Sequence, residues 1–165
     1  MGEFKQDLSA REILDMYSAM IYRIAYSRTQ NKTDAEDITQ NVFLKYISTD
    51  KKWCNEEHRK AWLIRVAVNC TNDFVNSAYN RHKADLEGVS EESIEFSCEM
   101  EEKSEVYYAV QKLPDKYRIP IHLFYYEDMS IAEIAKVTKD KEVTIRSQLN
   151  RARNMLKKIL KEEEV

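Results

Sequence analysis

Glycine and proline are scarce in this sequence, with two of each among 165 residues. Both residue types interrupt helices, so the chain offers few positions at which a helix would have to end. Hydrophobic residues make up 43% of the sequence and charged residues 33%, which is an ordinary balance for a soluble globular protein. The sequence therefore predicts an all-α protein.

Long apolar runs are missing as well. No stretch approaches the roughly 20 apolar residues that a membrane-spanning helix needs. The first residues, MGEFKQDLSAREIL, lack the basic and then apolar arrangement of a signal peptide. These two absences predict a cytoplasmic protein with no direct insertion into a membrane.

Recognisable catalytic and metal-binding motifs are a third absence. Cys54, Cys70 and Cys98 lie 16 and 28 positions apart, and no pair has the C-x-x-C spacing. The three histidines stand in no recognisable motif with a serine or cysteine nucleophile. We therefore expect reduced thiols, no catalytic residues, no metal and no cofactor, so the chain is predicted to be a binding protein and not an enzyme.

Charge is unevenly distributed along the chain. The net charge of −3 divides into +2 over residues 1–83, −8 over 84–105 and +3 over 106–165, with +6 within 141–161. Two weakly basic segments are thus separated by an acidic one, and within it residues 84–100 include Gly88 and have no clear helical period. The pattern predicts two small helical domains, 1–83 and 102–165, joined by a flexible acidic linker at 84–101.

Helical periodicity and helix-start signals define the expected elements. We predict helices over residues 8–29, 33–47, 58–82, 102–113, 115–127, 131–138 and 142–160. The T-x-x-E sequence that begins at Thr33 and the S-x-x-E sequence that begins at Ser130 are typical capping boxes. Pro120 falls inside a predicted helix and is expected to kink it.

The last two predicted helices, separated by a turn at 139–141, have the spacing of a helix-turn-helix. On the longer one, an apolar stripe is formed by Ile145, Leu149, Ala152 and Leu156. The opposite face is small, polar and basic, and residues 143–161 contain no acid. A surface helix that meets only water also has a polar outer face, but the capped partner helix and the lack of acids favour binding in the DNA major groove.

Three segments of the C-terminal half resemble the last domain of the extracytoplasmic-function (ECF) sigma factors: LPDKYR at 113–118, SIAEIA at 130–135 and TIRSQLNRAR at 144–153. The resemblance implies that this domain, a helix-turn-helix, binds the promoter's −35 element. The residues implied in that contact are Thr144, Arg146, Ser147, Asn150, Arg151 and Arg153. Lys139 departs from the family pattern, because a turn glycine is common at that position.

Two helices of the N-terminal half have unusual outer faces. The helix at 33–47 presents Asp37, Gln40, Asn41 and Leu44, which suit a protein-binding surface or an ordinary polar face with one exposed leucine. The far side of the helix at 58–82 holds Trp62, Arg65, Asn69, Asn72 and Asn76. Amides, a guanidinium and an aromatic ring suit phosphates and unpaired bases. For Trp62 a position in the core is an equally good interpretation.

The N-terminal half resembles ECF sigma factors too. DAEDITQNVFL at 34–44 is similar to the segment that binds the coiled-coil clamp of the largest polymerase subunit, and AWLIRVAVN at 61–69 to the segment that melts and holds the −10 element. The resemblance implies core RNA polymerase and promoter DNA as partners, and admits an anti-sigma factor as a third. Polymerase contacts are implied for Asp37, Gln40, Asn41 and Leu44, and −10 contacts for Trp62, Arg65, Asn69, Asn72 and Asn76.

The sequence is therefore interpreted as a sigma factor that binds core RNA polymerase and directs promoter-specific initiation of transcription. The alternative is an autonomous helix-turn-helix repressor or activator, whose N-terminal half would form a dimer or sense a ligand. A protein-binding adaptor is a third candidate. Co-purification with core polymerase, together with promoter-specific transcription, distinguishes the first from the other two.

Overall fold

A computed structural model of the chain describes residues 4, 8–82 and 104–163, and within them it contains seven α-helices and no strand. The chain divides into two compact units, Met1–Phe96 and Ser97–Val165. The helices are α1 (Ala10–Thr29), α2 (Lys32–Ser48), α3 (Glu56–His82), α4 (Glu105–Gln111), α5 (Asp115–Tyr125), α6 (Ile131–Thr138) and α7 (Glu142–Glu163). The all-α prediction is confirmed. The linker predicted at 84–101 lies outside the described residues.

The first unit is a bundle in which α1, α2 and α3 pack against one another. Its fully buried side chains include Ile13, Ile21, Ile24, Ile38 and Leu63. The helical period of α3 predicts a core-facing side formed by Ile64, Ala67, Val68, Thr71, Val75 and Ala78. The first four are buried and Val75 is half-buried, whereas the Ala78 side chain lies outside the described residues. The period missed Leu63, Val66 and Cys70, which are also buried. Because α3 contacts both other helices, more than one of its faces is removed from water, and a single apolar stripe underestimates its buried surface.

The predicted capping box at the start of α2 is wrong. The helix begins at Lys32, and the side-chain oxygen of Asn31 accepts a hydrogen bond from the Asp34 backbone N–H at 3.0 Å. Asparagine is as good an N-cap as threonine, and a cap at Asn31 places Asp34 at the third helical position. Thr33 therefore lies inside the first turn, and Glu36 is buried on the side of the helix.

A buried polar network fixes the start of α3 to α1. The Arg59 side chain is fully buried, and its Nη1 donates to Glu56 Oε1 at 2.6 Å. The Tyr17 hydroxyl donates to the other Glu56 oxygen. Burial, together with the adjacent carboxylate, raises the pKa of Tyr17 above its ordinary value, so the phenol remains a donor at neutral pH. The network thereby joins α3 to α1 by directional contacts as well as by apolar packing.

In the second unit, α4, α5 and α6 all pack against α7. The predicted inner stripe of α7 is confirmed for Ile145, Leu149 and Ala152, which are at most 1% exposed, whereas its fourth member, Leu156, is half-buried. On α6, Ile134 and Val137 are buried and Ile131 is half-buried. The short helix therefore rests on the longer one, as the predicted helix-turn-helix requires.

The LPDKYR segment at 113–118 contains the end of the turn between α4 and α5 and the first turn of α5. Arg118 is buried, its Nη1 donates to the Leu113 carbonyl at 2.8 Å, and its Nη2 pairs with Asp115. The Leu113 carbonyl lies in the turn after α4, and the guanidinium supplies it with a hydrogen-bond donor. The helix α5 then continues as one element through the buried Pro120; a kink at this proline stays a prediction.

The turn between α6 and α7 contains a lysine in the left-handed region. The predicted N-cap of α6 is confirmed, because Ser130 Oγ accepts a hydrogen bond from the Glu133 N–H at 3.1 Å. At the other end, Lys139 has φ 63° and ψ 29°, and the N–H groups of Lys139 and Asp140 both donate to the Ala135 carbonyl. This is the hydrogen-bonded turn that glycine usually forms, here adopted by a residue with a Cβ.

Replacement of Lys139 by glycine is expected to stabilise the second unit by about 1 kcal/mol, because it removes the steric cost of a Cβ at positive φ. Urea unfolding of the full chain, followed by circular dichroism, measures this change. Lys136→Gly is the matched control: Lys136 is exposed inside α6, where glycine should cost about 1 kcal/mol. Equal destabilisation by both changes would contradict the prediction.

Candidate protein and nucleic-acid interfaces

The outer face of α2 is polar with an apolar end. Asp37, Gln40, Asn41 and Leu44 are all exposed, opposite the buried Ile38 and Val42. Ile47, one turn beyond Leu44, is likewise 62% exposed. We call Asp37, Gln40, Asn41, Leu44 and Ile47 the α2 outer face.

Two exposed aliphatic side chains distinguish this face from an ordinary polar face with one exposed leucine. A single exposed leucine is common on a solvated helix, but here Leu44 and Ile47 are both exposed, three residues apart, at the end of a face that carries a carboxylate and two amides. Exposed apolar side chains beside polar ones are typical of protein–protein interfaces. The sequence predicted an exposed Leu44 and did not single out Ile47, although the two have helical spacing.

The polar side of α3 forms a stripe along the helix. Arg65 and Asn76 are exposed, whereas Asn69 and Asn72 are half-buried. Their spacing of four, three and four residues keeps all four on one side of the helix. We call Arg65, Asn69, Asn72 and Asn76 the α3 polar stripe. It presents one cation and three amides, groups that can bind phosphates and base edges.

Trp62 lies at the edge of an aromatic cluster near the start of this stripe. Its ring meets Trp53 edge-on at 5.2 Å between centroids and Tyr46 at 6.1 Å, and Trp53 stacks on Tyr46 at 5.9 Å. Trp53 is buried, but Trp62 is only half-buried. The two interpretations of Trp62 are therefore compatible, because one part of the ring packs in the cluster and another remains accessible for stacking.

Asn72 is tied to α1. Its side-chain oxygen accepts a hydrogen bond from Nη1 of Arg28, which lies in the last turn of α1. The two residues are 44 positions apart in the sequence, so the contact is a product of the fold. Among the members of the α3 polar stripe, Asn72 is thus the one whose orientation the first unit fixes from a neighbouring helix.

The outer side of α7 brings together most of the residues implied in −35 binding. Thr144, Arg146, Asn150 and Arg151 are exposed, and Ser147 is half-buried. In the part of the chain that the structure describes, neither Arg146 nor Arg151 makes a hydrogen bond or an ion pair. Guanidinium groups without protein partners can bind guanine edges or phosphates without first breaking an existing contact.

Arg153 has a different environment from the other arginines of α7. It is half-buried, and its Nε donates to the Tyr125 hydroxyl at 2.6 Å. Its guanidinium carbon lies 5.3 Å from the centroid of the Phe124 ring and 5.7 Å from that of Tyr125. A hydrogen bond and two cation–π contacts hold Arg153 against the end of α5. This placement favours a role in orienting α7 over a contact with phosphate.

Arg153→Ala is accordingly expected to destabilise the second unit by about 1–2 kcal/mol, through loss of the hydrogen bond and the cation–π contacts. The salt dependence of promoter binding by the holoenzyme should not change. The matched control is Arg151→Ala, which should leave stability unchanged and reduce the slope of log K against log salt concentration by about 0.9, as for one phosphate contact. A reduced slope for Arg153→Ala would assign this arginine to the DNA backbone instead.

The remaining features concern membranes, metals and thiols. Within 8–82 and 104–163, no helix combines the length and hydropathy needed to cross a bilayer. The same described residues contain no cluster of three or more histidine, cysteine or acidic side chains placed to hold a metal ion. Cys54 is exposed and Cys70 is buried, and both are free thiols. Burial raises the pKa of the Cys70 thiol, so Cys54 is the more accessible of the two to reagents.

Two family models match this chain. The sigma-70 region 2 model matches residues 13–81, which contain α1, α2 and most of α3. The sigma-70 region 4 model matches residues 103–156, which contain α4, α5, α6 and most of α7. The α2 outer face and the α3 polar stripe thus fall within region 2, and the outer side of α7 falls within region 4.

Similar proteins include several sigma factors. The chain is 29% identical over 168 residues to the ECF RNA polymerase sigma factor SigW of Bacillus subtilis, covering 92% of this chain and 88% of SigW. It is 31% identical over 155 residues to SigM of the same organism, covering 88% of this chain and 91% of SigM. SigM thus resembles this chain over nearly the full length of both proteins.

Two solved structures share the fold. One is the sigma factor RpoE in complex with the anti-sigma factor NepR from Bartonella quintana, with a TM-score of 0.63, 21% identity and coverage of 92% of this chain and 96% of that one. The other is CnrH in complex with the cytosolic domain of CnrY, with a TM-score of 0.61, 20% identity and coverage of 93% and 88%. At these identities the likeness is one of fold.

Proposed function

The chain belongs to the ECF RNA polymerase sigma factors. From this membership we propose which of its described surfaces binds polymerase and which bind the promoter elements. As a sigma factor it binds core RNA polymerase and directs promoter-specific initiation. It is a regulator of initiation, and we infer that it is not itself an enzyme. Binding of unpaired bases would offset the cost of opening the duplex, so melting requires no hydrolysis by this chain.

Core polymerase is assigned to the α2 outer face. The exposed Leu44 and Ile47 supply an apolar end, and Asp37, Gln40 and Asn41 supply polar contacts along the rest of the face. None of these five side chains contributes to the buried core of the first unit. The proposed contact can therefore form without any rearrangement of the bundle.

The opened −10 element is assigned to the α3 polar stripe and the accessible part of Trp62. The stripe offers Arg65 to the backbone and the amides of Asn69, Asn72 and Asn76 to bases or phosphates. A half-buried indole beside a row of amides suits an unstacked base, because every base has a face on which an aromatic ring can stack.

The −35 element is assigned to α7, and one observation carries this assignment. Arg146 and Arg151 lie without protein partners on the outer side of the second helix of a helix-turn-helix, next to Asn150 and the hydroxyls of Thr144 and Ser147. Such a helix enters the major groove, where arginine binds guanine edges and asparagine binds adenine edges. Arg153 is held by a hydrogen bond to Tyr125 and a cation–π contact with Phe124, so we assign it to the support of α7 instead.

The wider organisation follows from the same membership. We propose a polymerase- and −10-binding domain at 1–83, an acidic linker at 84–101 that passes through the positively charged interior of polymerase, and a −35-binding domain at 102–165. We infer a cytoplasmic location, because core polymerase and DNA are found there. One structural relative, RpoE, is bound to an anti-sigma factor, which supports an anti-sigma factor as a partner of this chain.

Substitution of Arg146 or Asn150 by alanine tests the −35 assignment. Both side chains are exposed, so stability should change little, whereas loss of a bidentate base contact should cost about 1–3 kcal/mol and relax the preference at one or two base pairs. Transcription from a promoter library by core polymerase with each variant measures this preference. Asn154→Ala is the control, since Asn154 is exposed one turn further along α7.

If both variants keep the parental −35 preference, α7 does not contact these bases. An autonomous repressor or activator makes a different prediction for the parental protein, namely tight and specific binding to duplex promoter DNA without polymerase. Failure of the protein to confer promoter specificity on core enzyme, combined with such binding, would contradict the proposal.

A further inference from the structure

The contact between Arg28 and Asn72 has a consequence for what Asn72 can bind. Asn72 lies in the middle of the α3 polar stripe, with Asn69 on one side and Asn76 on the other. It is half-buried, and its side-chain oxygen accepts from Arg28 Nη1 across the interface between α1 and α3. The following inference rests on the proposed binding of the −10 element by this stripe.

The chemistry of the pair fixes the orientation of the amide. A guanidinium has five N–H donors and no acceptor, so only the oxygen of the Asn72 side chain can face it. The amide nitrogen must then point away from Arg28. Among the described residues, nothing accepts a hydrogen bond from this nitrogen. Asn72 therefore presents two N–H donors, whereas an asparagine without such a partner can present a donor or an acceptor by rotating its amide.

We propose that Arg28 is a positioning residue that makes Asn72 an obligate hydrogen-bond donor toward the −10 element. Its partner on the DNA is an acceptor atom, either a carbonyl oxygen or ring nitrogen of an unpaired base or a phosphate oxygen. A base edge that offers only donors at this point, such as an exocyclic amino group, is rejected because two donors would face each other. Asn72 thereby contributes to the specificity of DNA binding, and Arg28 determines that the Asn72 amide acts as a donor and not as an acceptor.

The Asn72→Asp variant separates this role from a purely structural one. Aspartate has the same shape and keeps an oxygen for Arg28, so the free energy of unfolding should be unchanged or raised. It has no donor at the position of the amide nitrogen. The affinity of holoenzyme for a single-stranded oligonucleotide of the non-template −10 element should fall about tenfold, as expected for one lost hydrogen bond. Unchanged affinity overturns the inference.

The charge that aspartate introduces needs a control of its own. Asn76→Asp places the same charge one turn along the α3 polar stripe, where no arginine fixes the amide. Oligonucleotides with a single base analogue that lacks one acceptor, or with a single methylphosphonate, then locate the lost contact. If one such change weakens the parental holoenzyme and has no further effect on Asn72→Asp, that DNA group is the partner, and its position distinguishes base from phosphate. If no single change behaves in this way, simple repulsion explains the loss and the inference fails.

Arg28→Gln tests the positioning itself. Glutamine can donate or accept, so it no longer dictates which end of the Asn72 amide faces the DNA. Discrimination against a donor-bearing base at the Asn72 position should therefore weaken, even though Asn72 is intact. Arg23→Gln is the matched control, because Arg23 is an exposed arginine of the same helix and its loss removes the same charge. Equal loss of discrimination in both variants would exclude a specific role for Arg28.

Failure of the inference and failure of the proposed function give different results. Arg65→Ala and Asn76→Ala remove other members of the stripe. If neither changes affinity for the −10 oligonucleotide, the α3 polar stripe does not bind this element and the underlying assignment is wrong. If both weaken binding but Asn72→Asp does not, only the inference about Asn72 is overturned.

Discussion

Simultaneous replacement of Asp37 and Gln40 by alanine is expected to weaken binding of the chain to core RNA polymerase by about 2–6 kcal/mol, at about 1–3 kcal/mol for each lost polar partner. Even the lower value corresponds to about thirtyfold in affinity. Both side chains are exposed and lie opposite the buried Ile38 and Val42, so the bundle should keep its stability. Titration of labelled protein with core enzyme measures the affinity, and thermal unfolding verifies the fold.

The control for this double variant is Asp15→Ala, which removes an exposed carboxylate from α1 instead of α2. It should leave core binding unchanged. Ile47→Asp provides an independent test of the apolar end of the α2 outer face. It should also weaken core binding, because burial of a carboxylate at a protein interface is costly. Full affinity in the Asp37 and Gln40 double variant, or an equal loss in Asp15→Ala, would remove the polymerase assignment from this face.

Leu149→Ala is expected to destabilise the second unit by about 2–5 kcal/mol, which for so small a unit is enough to unfold it. Leu149 is 1% exposed on the inner stripe of α7, the helix against which α4, α5 and α6 all pack. Truncation there leaves a cavity at the centre of the unit. The variant should lose −35-dependent transcription and keep its affinity for core polymerase, because α2 belongs to the other unit.

Chemical denaturation followed by circular dichroism measures the loss of stability, and core binding is measured as for the polymerase variants. Val143→Ala is the matched control: Val143 is on the same helix but 71% exposed, so its truncation should change stability by less than about 0.5 kcal/mol. A Leu149→Ala variant as stable as the Val143→Ala variant would show that the inner stripe of α7 does not hold the unit together.

Helix-start signals show how far local sequence determines structure. Ser130 was correctly predicted to cap α6: of the two capping-type residues at this point, Asp128 and Ser130, only Ser130 has a glutamate three positions later. At the start of α2, Asn31 and Thr33 are both good capping residues, two positions apart. Local preference does not separate them, and the helix begins after Asn31. The error is therefore one of two positions, and the helix itself was found correctly.

Helical periodicity also predicted which side of a helix is buried better than it predicted how much of the helix surface is buried. On α7 one side packs and the other is open, and the sequence placed Ile145, Leu149 and Ala152 inside correctly. On α3 the same method recovered only part of the buried surface, because the helix is covered from two directions. The number of neighbours that a helix contacts is a property of the assembled bundle, and a single stripe cannot encode it.

By itself the sequence determined the all-α class, the positions of seven helices and the outward placement of Asp37, Gln40, Arg146 and Asn150, because helix spacing fixes which side chains share a face. Only the tertiary structure decided which polar side chains are hydrogen-bonded to other residues of the protein. Arg28 meets Asn72 across 44 positions of sequence, and Arg153 meets Tyr125 across 28. Such pairs form between helices, where packing sets the distances, and no local pattern records them. In sequence Arg153 resembles Arg146 and Arg151, and Asn72 resembles Asn69 and Asn76. Among the described residues, the fold gives Arg153 and Asn72 partners that these neighbours lack.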